Sequence, residues 1–198
     1  MRSMAYARGL KLSSAGRHAE AMGCCEQALA QDPSDTDTLS ALGNTASVLG
    51  LADGAAPFYA RVLALERHLI EALVNLANLL RGQGQFAAPA SLLEPALARS
   101  PQSAELLLTL GSVKRENGDA DGAAALYRAA LDARPDYAPA LSNLADLLAD
   151  AGDHAQARTL YDRAIKAAPG DAQARLNRAV LHFLTGNLKE GWRDYAAR

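Results

Sequence analysis

The stretch LVNLANLL at residues 73–80 returns almost letter for letter as LSNLADLL at 141–148, 68 residues later. Each copy sets an asparagine among leucines in a run of helix-forming composition. Sixty-eight is twice 34, and a fixed period of that length is the signature of stacked repeats. Other letters keep the beat. Pro101, Pro135 and Pro169 are 34 apart, Pro33 stands 68 before Pro101, and Arg67 fills the beat between them. With each proline at position 32, the chain divides into units 2–35, 36–69, 70–103, 104–137 and 138–171 and a partial unit 172–198, which we read as one solenoid domain over 1–198.

Within this frame position 4 carries Leu39, Leu73, Leu107 and Leu141, and position 7 carries Leu42, Leu76, Leu110 and Leu144. Position 8 stays small (Gly9, Gly43, Ala77, Gly111, Ala145, Ala179), as does position 20 (Ala21, Ala55, Pro89, Ala123, Ala157, Gly191). Position 24 reads Cys25, Tyr59, Leu93, Tyr127, Tyr161 and Tyr195, and position 27 reads Ala28, Val62, Ala96, Ala130, Ala164 and Arg198. Apolar spacings of three and four at 4, 7, 8, 11 and again at 20, 24, 27 predict two amphipathic helices per unit. Glycine-bearing runs such as ENGDADG and DAGD fall between them, where a glycine can close the first helix in the left-handed conformation and an Asp or Asn can cap the second. Small residues at 8 and 20 mark where the paired helices cross closely.

Composition agrees. Ile, Val and Thr together number 13 among 198 residues rich in Ala and Leu, a balance that favours helix over strand. Twenty basic and 22 acidic side chains leave a net charge of −2, which gives no attraction to nucleic acid or to an anionic membrane surface. No apolar stretch approaches the length of a membrane span, and MRSMAYARGLKLSS lacks the apolar centre of a signal peptide, so a cytoplasmic location is expected. Cys24 and Cys25 are adjacent, which suits neither a disulfide framework nor a zinc site, and no cofactor is expected. His18, His68, His154 and His182 stand at no ligand or triad spacing, and no phosphate-cradling loop or nucleophile motif occurs, so these residues do not read as an enzyme.

The 34-residue pattern of small, apolar and proline positions resembles the tetratricopeptide repeat family across residues 2–198. The resemblance implies an all-α, right-handed α-solenoid superhelix of about six helix pairs with an inner groove. Units 3 to 5 match best; unit 1, with Ala5 and Arg8 at large apolar positions and Leu12 and Cys25 at aromatic ones, reads as a frayed or capping unit. Pro95 inside a second helix predicts a kink near residues 91–95, whereas Pro57, placed in about the first turn, is expected to cost less.

On the first helix, positions 2, 5, 6, 9, 12 and 13 lie opposite the packed side and face the groove. Asn75, Asn143 and Asn177 take position 6, where Thr109 also stands; Asn44, Asn78, Ser112 and Asp146 take position 9, Ser142 position 5, and Arg81 and Arg115 position 12. An exposed mid-helix asparagine is a mediocre helix former, so binding is the better reason for repeating it: a carboxamide matches the amide of an extended peptide main chain. The stretch LGSVKRENGDADGAAALYRAALDARPDYAPALSNLADLLADAG is similar to the repeat region of O-linked N-acetylglucosamine transferases. That resemblance implies an asparagine ladder at position 6, matched by Asn75, Asn143 and Asn177 but not by Ala7, Ala41 or Thr109. Asp37, Glu71, Glu105, Glu116, Asp146 and Asp150 outnumber Arg81 and Arg115 on this face, so a basic or neutral partner is preferred.

In the last unit Val180, Phe183 and Leu184 fall on the groove side, either as an apolar patch for a partner helix or through ordinary core rearrangement in a divergent terminal repeat, and end-to-end self-association is open. GNLKEGWRDYAAR resembles the last repeat of bacterial proteins in which such an array leads into a catalytic domain, with Trp192 and Tyr195 packing on that next domain or on the preceding helices. The expected function is a protein–protein interaction scaffold that holds a peptide or helix in its groove. The alternative is the substrate-presenting arm of a larger enzyme such as a protein glycosyltransferase.

Overall fold

The computed structural model describes residues 3–66, 69–85 and 87–197; Arg67, His68 and Arg198 of the repeat register lie outside the described residues. Twelve helices are formed among them: α1 (Met4–Ser14), α2 (His18–Gln31), α3 (Thr36–Val48), α4 (Ala52–Leu65), α5 (Ile70–Gly82), α6 (Ala87–Arg99), α7 (Ala104–Glu116), α8 (Ala120–Ala133), α9 (Ala138–Asp150), α10 (His154–Ala167), α11 (Ala172–Leu184) and α12 (Leu188–Ala196). Each 34-residue unit therefore supplies one first helix and one second helix. The chain divides into two compact units, Met1–Ala96 and Leu97–Arg198. None of the helices is long and apolar enough to cross a membrane.

The sharp turn inside each pair has a single cause. Gly16, Gly50, Gly84, Gly118, Gly152 and Gly186 recur at intervals of 34 with φ between 73° and 86°, a region that a side chain disfavours. Each closes a Schellman motif. In α7, for example, the Gly118 N–H donates to the Arg115 carbonyl at 3.0 Å and the Asp119 N–H reaches back to Lys114 at 2.9 Å. Asp119 and Asp153 then cap α8 and α10 by accepting from the N–H groups of Gly122 and Gln156.

In the first unit, α3 packs on α4, and α4 on α5; Leu39, Val62 and Ala72 form one buried cluster, and Ala46, Ala55 and Tyr59 another. In the second unit, α7 with α8, α9 with α10 and α11 with α12 pair likewise, while α8 and α10 each pack on the first helix that comes after them. Leu107, Ala130 and Ala140 share a cluster there, as do Leu141, Ala164 and Ala174. The position 4 leucines are buried throughout; at position 7 Leu76 is only half-buried, whereas Leu42, Leu110 and Leu144 are buried. Unit 1 of the repeat frame is not frayed: α1 packs on α2, and Cys25 fills the place the pattern gives to an aromatic, with its sulfur over Gly9. Burial pushes the Cys25 thiol up, consistent with packing rather than reactivity.

Of the two prolines, Pro57 differs from expectation. Helix α6 runs without a break from Ala87 to Arg99 through Pro95, so the missing amide donor and the ring next to Ser91 do not interrupt it. Helix α4 begins at Ala52, which makes Pro57 its sixth residue, past the four free amides. Its missing N–H falls inside the helix after all.

Candidate functional site

The first-helix face is organised by one recurrent arrangement of three side chains. In the first unit the ring of Tyr59 on α4 lies over Gly43 of α3, so near that a Cβ there would stand 2.6 Å from its Cε1. Crossing that gap, the Tyr59 hydroxyl donates to Oδ1 of Asn44 at 2.7 Å, and Nδ2 of Asn75 on α5 donates to the same oxygen at 2.9 Å. In the second unit the Tyr127 ring lies over Gly111 in the same way, and both its hydroxyl and Asn143 Nδ2 donate to Oγ of Ser112 at 3.3 Å. The third case uses a charge: Tyr161 and, at 2.9 Å, Asn177 Nδ2 donate to Oδ1 of Asp146. The three residues are spaced alike each time, the tyrosine 15 and the asparagine 31 after the acceptor.

This corrects the reading of the asparagines as free groove contacts. Asn75, Asn143 and Asn177 do lie on the first-helix face, but each is half-buried and has one amide donor committed to the preceding first helix. What each can still offer a ligand is its other N–H and its oxygen; the Asn177 oxygen also accepts from Gln173 at 2.6 Å. Thr109 is not on an accessible face at all: it is 4% exposed and donates to the Glu105 carbonyl of its own helix. Ser142 is half-buried with Oγ out of solvent and without a hydrogen-bond partner among the described residues. Arg81 is half-buried, and Asn78 is exposed.

Two hollows lie on this face. The first, of about 530 Å³, is lined by Asn44, Ser47, Val48, Tyr59, Glu71, Asn75, Asn78 and Leu79. The second, of about 240 Å³, is lined by Arg115, Asp146, Ala149, Asp150, Tyr161, Asn177, Val180, Leu181 and Leu184. Arg115 bridges Asp146 at 3.2 Å and Asp150 at 3.1 Å. Burial opposes its charge, but the two carboxylates outweigh burial and hold its pKa above the ordinary value. Tyr161 is driven the other way from ionisation: burial, then the Asp146 carboxylate, raise its pKa far above that of a free phenol. Glu105, counted among the groove acids, is neutralised by Arg134 at 2.5 Å. Its own backbone amide and that guanidinium hold its carboxyl below the usual range against the effect of burial.

In the last pair, Val180 and Leu184 are exposed as expected and line the second hollow. Phe183 is not with them; its ring packs over Gly191 and meets Trp192 edge-on at 5.3 Å, so it belongs to the α11–α12 contact. Trp192 in turn meets Tyr195 at 5.6 Å. The tyrosine hydroxyls are invisible to a reading that treats position 24 as an apolar column. The signal that finds them is the joint spacing of acceptor, tyrosine and asparagine.

Two family models described as tetratricopeptide repeat match the chain, one at residues 114–179 and 148–191, the other at 74–138, and together they span 74–191, more than half of it. A curated relative, the probable biofilm formation methyltransferase WspC of Pseudomonas aeruginosa strain PAO1, is 38% identical over 86 residues, which is 43% of this chain and only 20% of that protein. Among solved structures, TTC0263, a thermophilic TPR protein of Thermus thermophilus, superposes with a TM-score of 0.77 at 27% identity, covering 90% of this chain and 97% of that one. PilW, a type IV pilus biogenesis factor, gives a TM-score of 0.81 at 20% identity, covering 98% of this chain and 90% of that one, a likeness of fold.

Proposed function

The chain belongs to the tetratricopeptide repeat family, and on that premise we propose that it is an interaction scaffold whose first-helix face holds a peptide or helix of a partner protein. The observation that carries this reading is the pair of hollows, one in each compact unit, that present carboxamide and carboxylate groups beside exposed aliphatic side chains. Packing between helices cannot account for Val48, 64% exposed, or Leu184, 72% exposed, at the rims of those hollows. A segment bound in either hollow would bury the one at its rim. The carboxylates favour a basic or neutral partner over an acidic one.

The test is site-specific photo-crosslinking in source cells. A crosslinker replacing Asn78 or Leu184 should trap a partner protein, and one replacing Arg99 or Asp162, exposed on second helices, should not. Trapping only from the second-helix positions would end the proposal.

A second reading has one observation in its favour. The curated relative is named a methyltransferase, and the matched segment is a fifth of it, 20%, so an array of this kind is found within an enzyme. On that reading the face presents substrate proteins to a catalytic domain, as the resemblance to glycosyltransferase arrays also implies. The mass of the native protein in source cells separates the two.

A further inference from the structure

We propose that the hollow formed by α3, α4 and α5 is a subsite for one cationic side chain, lysine or arginine, of the bound segment; this rests on the reading above that the first-helix face holds a peptide. The hydrogen-bond inventory of the hollow is the first ground. Asn44 Oδ1 already accepts twice, from Tyr59 and Asn75, while the Asn75 and Asn78 oxygens and the Glu71 carboxylate accept from no described residue. The carboxamides bring donors as well as acceptors, but Glu71 is the one ionised group among the lining residues, and an ammonium or guanidinium, with donors and no acceptor, complements it.

Charge is the second ground. Glu71 is exposed and forms no ion pair among the described residues. Glu105, at the same place in the repeat frame one unit later, has Arg134 upon it. In the second hollow, too, Asp146 and Asp150 already hold Arg115 between them. The first hollow therefore offers a carboxylate that no described side chain neutralises, and the second does not. Shape is the third. The 530 Å³ of space is walled by Val48 and Leu79 beside the polar groups, which suits a long side chain with an aliphatic stem and a charged tip.

The experiment pans a random-peptide phage library in parallel against the wild-type chain and Glu71→Gln. Glu71 is exposed and bonds no other described side chain, so the variant keeps the fold, which a matching melting curve verifies. A selected peptide is then compared, by fluorescence polarisation, with copies in which each basic residue is changed to Gln or Glu. Expected is enrichment of Lys and Arg on the wild type that disappears on E71Q, with one basic residue whose change to Gln weakens wild-type binding about two- to fivefold and E71Q binding not at all. That difference should shrink in high salt. Peptides retained without basic enrichment, or with the same enrichment on E71Q, overturn the subsite and leave peptide binding standing. No peptide retained by either protein overturns both.

Discussion

The tyrosine of each three-residue arrangement does two things at once, and single substitutions separate them. Its ring is packing: Tyr59 and Tyr127 are 2% and 0% exposed over glycines that admit no further atom. Its hydroxyl is a bond to the next residue of the face. Tyr127→Phe keeps the ring and loses a neutral bond to Ser112, and should cost about 0.5–1.5 kcal/mol in urea unfolding. Tyr161→Phe loses a bond to a carboxylate and should cost more, about 1.5–3 kcal/mol. Equal losses would mean that the charge of Asp146 is fully met by Arg115 and Asn177. Glycines give a matching contrast. Gly111→Ala would force a Cβ to 2.6 Å from the Tyr127 ring and should destabilise by about 1–3 kcal/mol. Gly23→Ala, within α2 with nothing near the added atom, should stabilise by about 0.5–1 kcal/mol, both read as shifts in the urea midpoint.

At the scale of the helix, the repeat register was legible almost to the residue, because the left-handed glycines, the small crossing positions and the leucine columns all obey one period. What the register could not convey was which neighbour each polar group would meet. Asn75 and Thr109 hold the same place in the frame, yet one reaches across to the preceding first helix and the other turns in to its own backbone. Thr109 is short, and the carbonyl four residues back lies within its reach; a carboxamide is long enough to leave its helix. Helix α6 shows the opposite limit: a local rule against proline is overridden by the packing of Pro89, Leu93 and Ala96 on its buried side. Because Pro95 is exposed, Pro95→Ala restores a backbone donor without altering that side, and should raise stability by about 1–3 kcal/mol in a denaturant titration.

For the molecule as a whole, buried phenols and paired carboxylates impose a dependence on pH at both ends. Burial raises the pKa of Tyr59, Tyr137 and Tyr161, so the fold favours their neutral form. Their contribution is complete below the unfolded phenol value of about 10 and is lost as pH rises beyond it. Urea midpoints should therefore fall steeply above that pH, and less steeply in Tyr161→Phe. Glu105 and Asp119 have depressed carboxyl values, so their contribution is present above the unfolded range of about 4 and disappears as pH falls through their folded values. A midpoint that stayed level through both limits would contradict the burial and pairing described here.

The matched spacing of tyrosine, acceptor and asparagine has a genetic corollary. Residues 104–137 begin and end within one such pattern: they contain Ser112 and Tyr127, and the next unit opens with Asn143, which answers them. Asp146 and Tyr161 are answered in turn by Asn177. A tandem duplication of 138–171 would thus bring its own asparagine and its own acceptor, and its one new joint, Asn143 of the second copy against Asp146 and Tyr161 of the first, would find its partners already in place. Slippage by a single codon would leave every one of them facing the wrong atom.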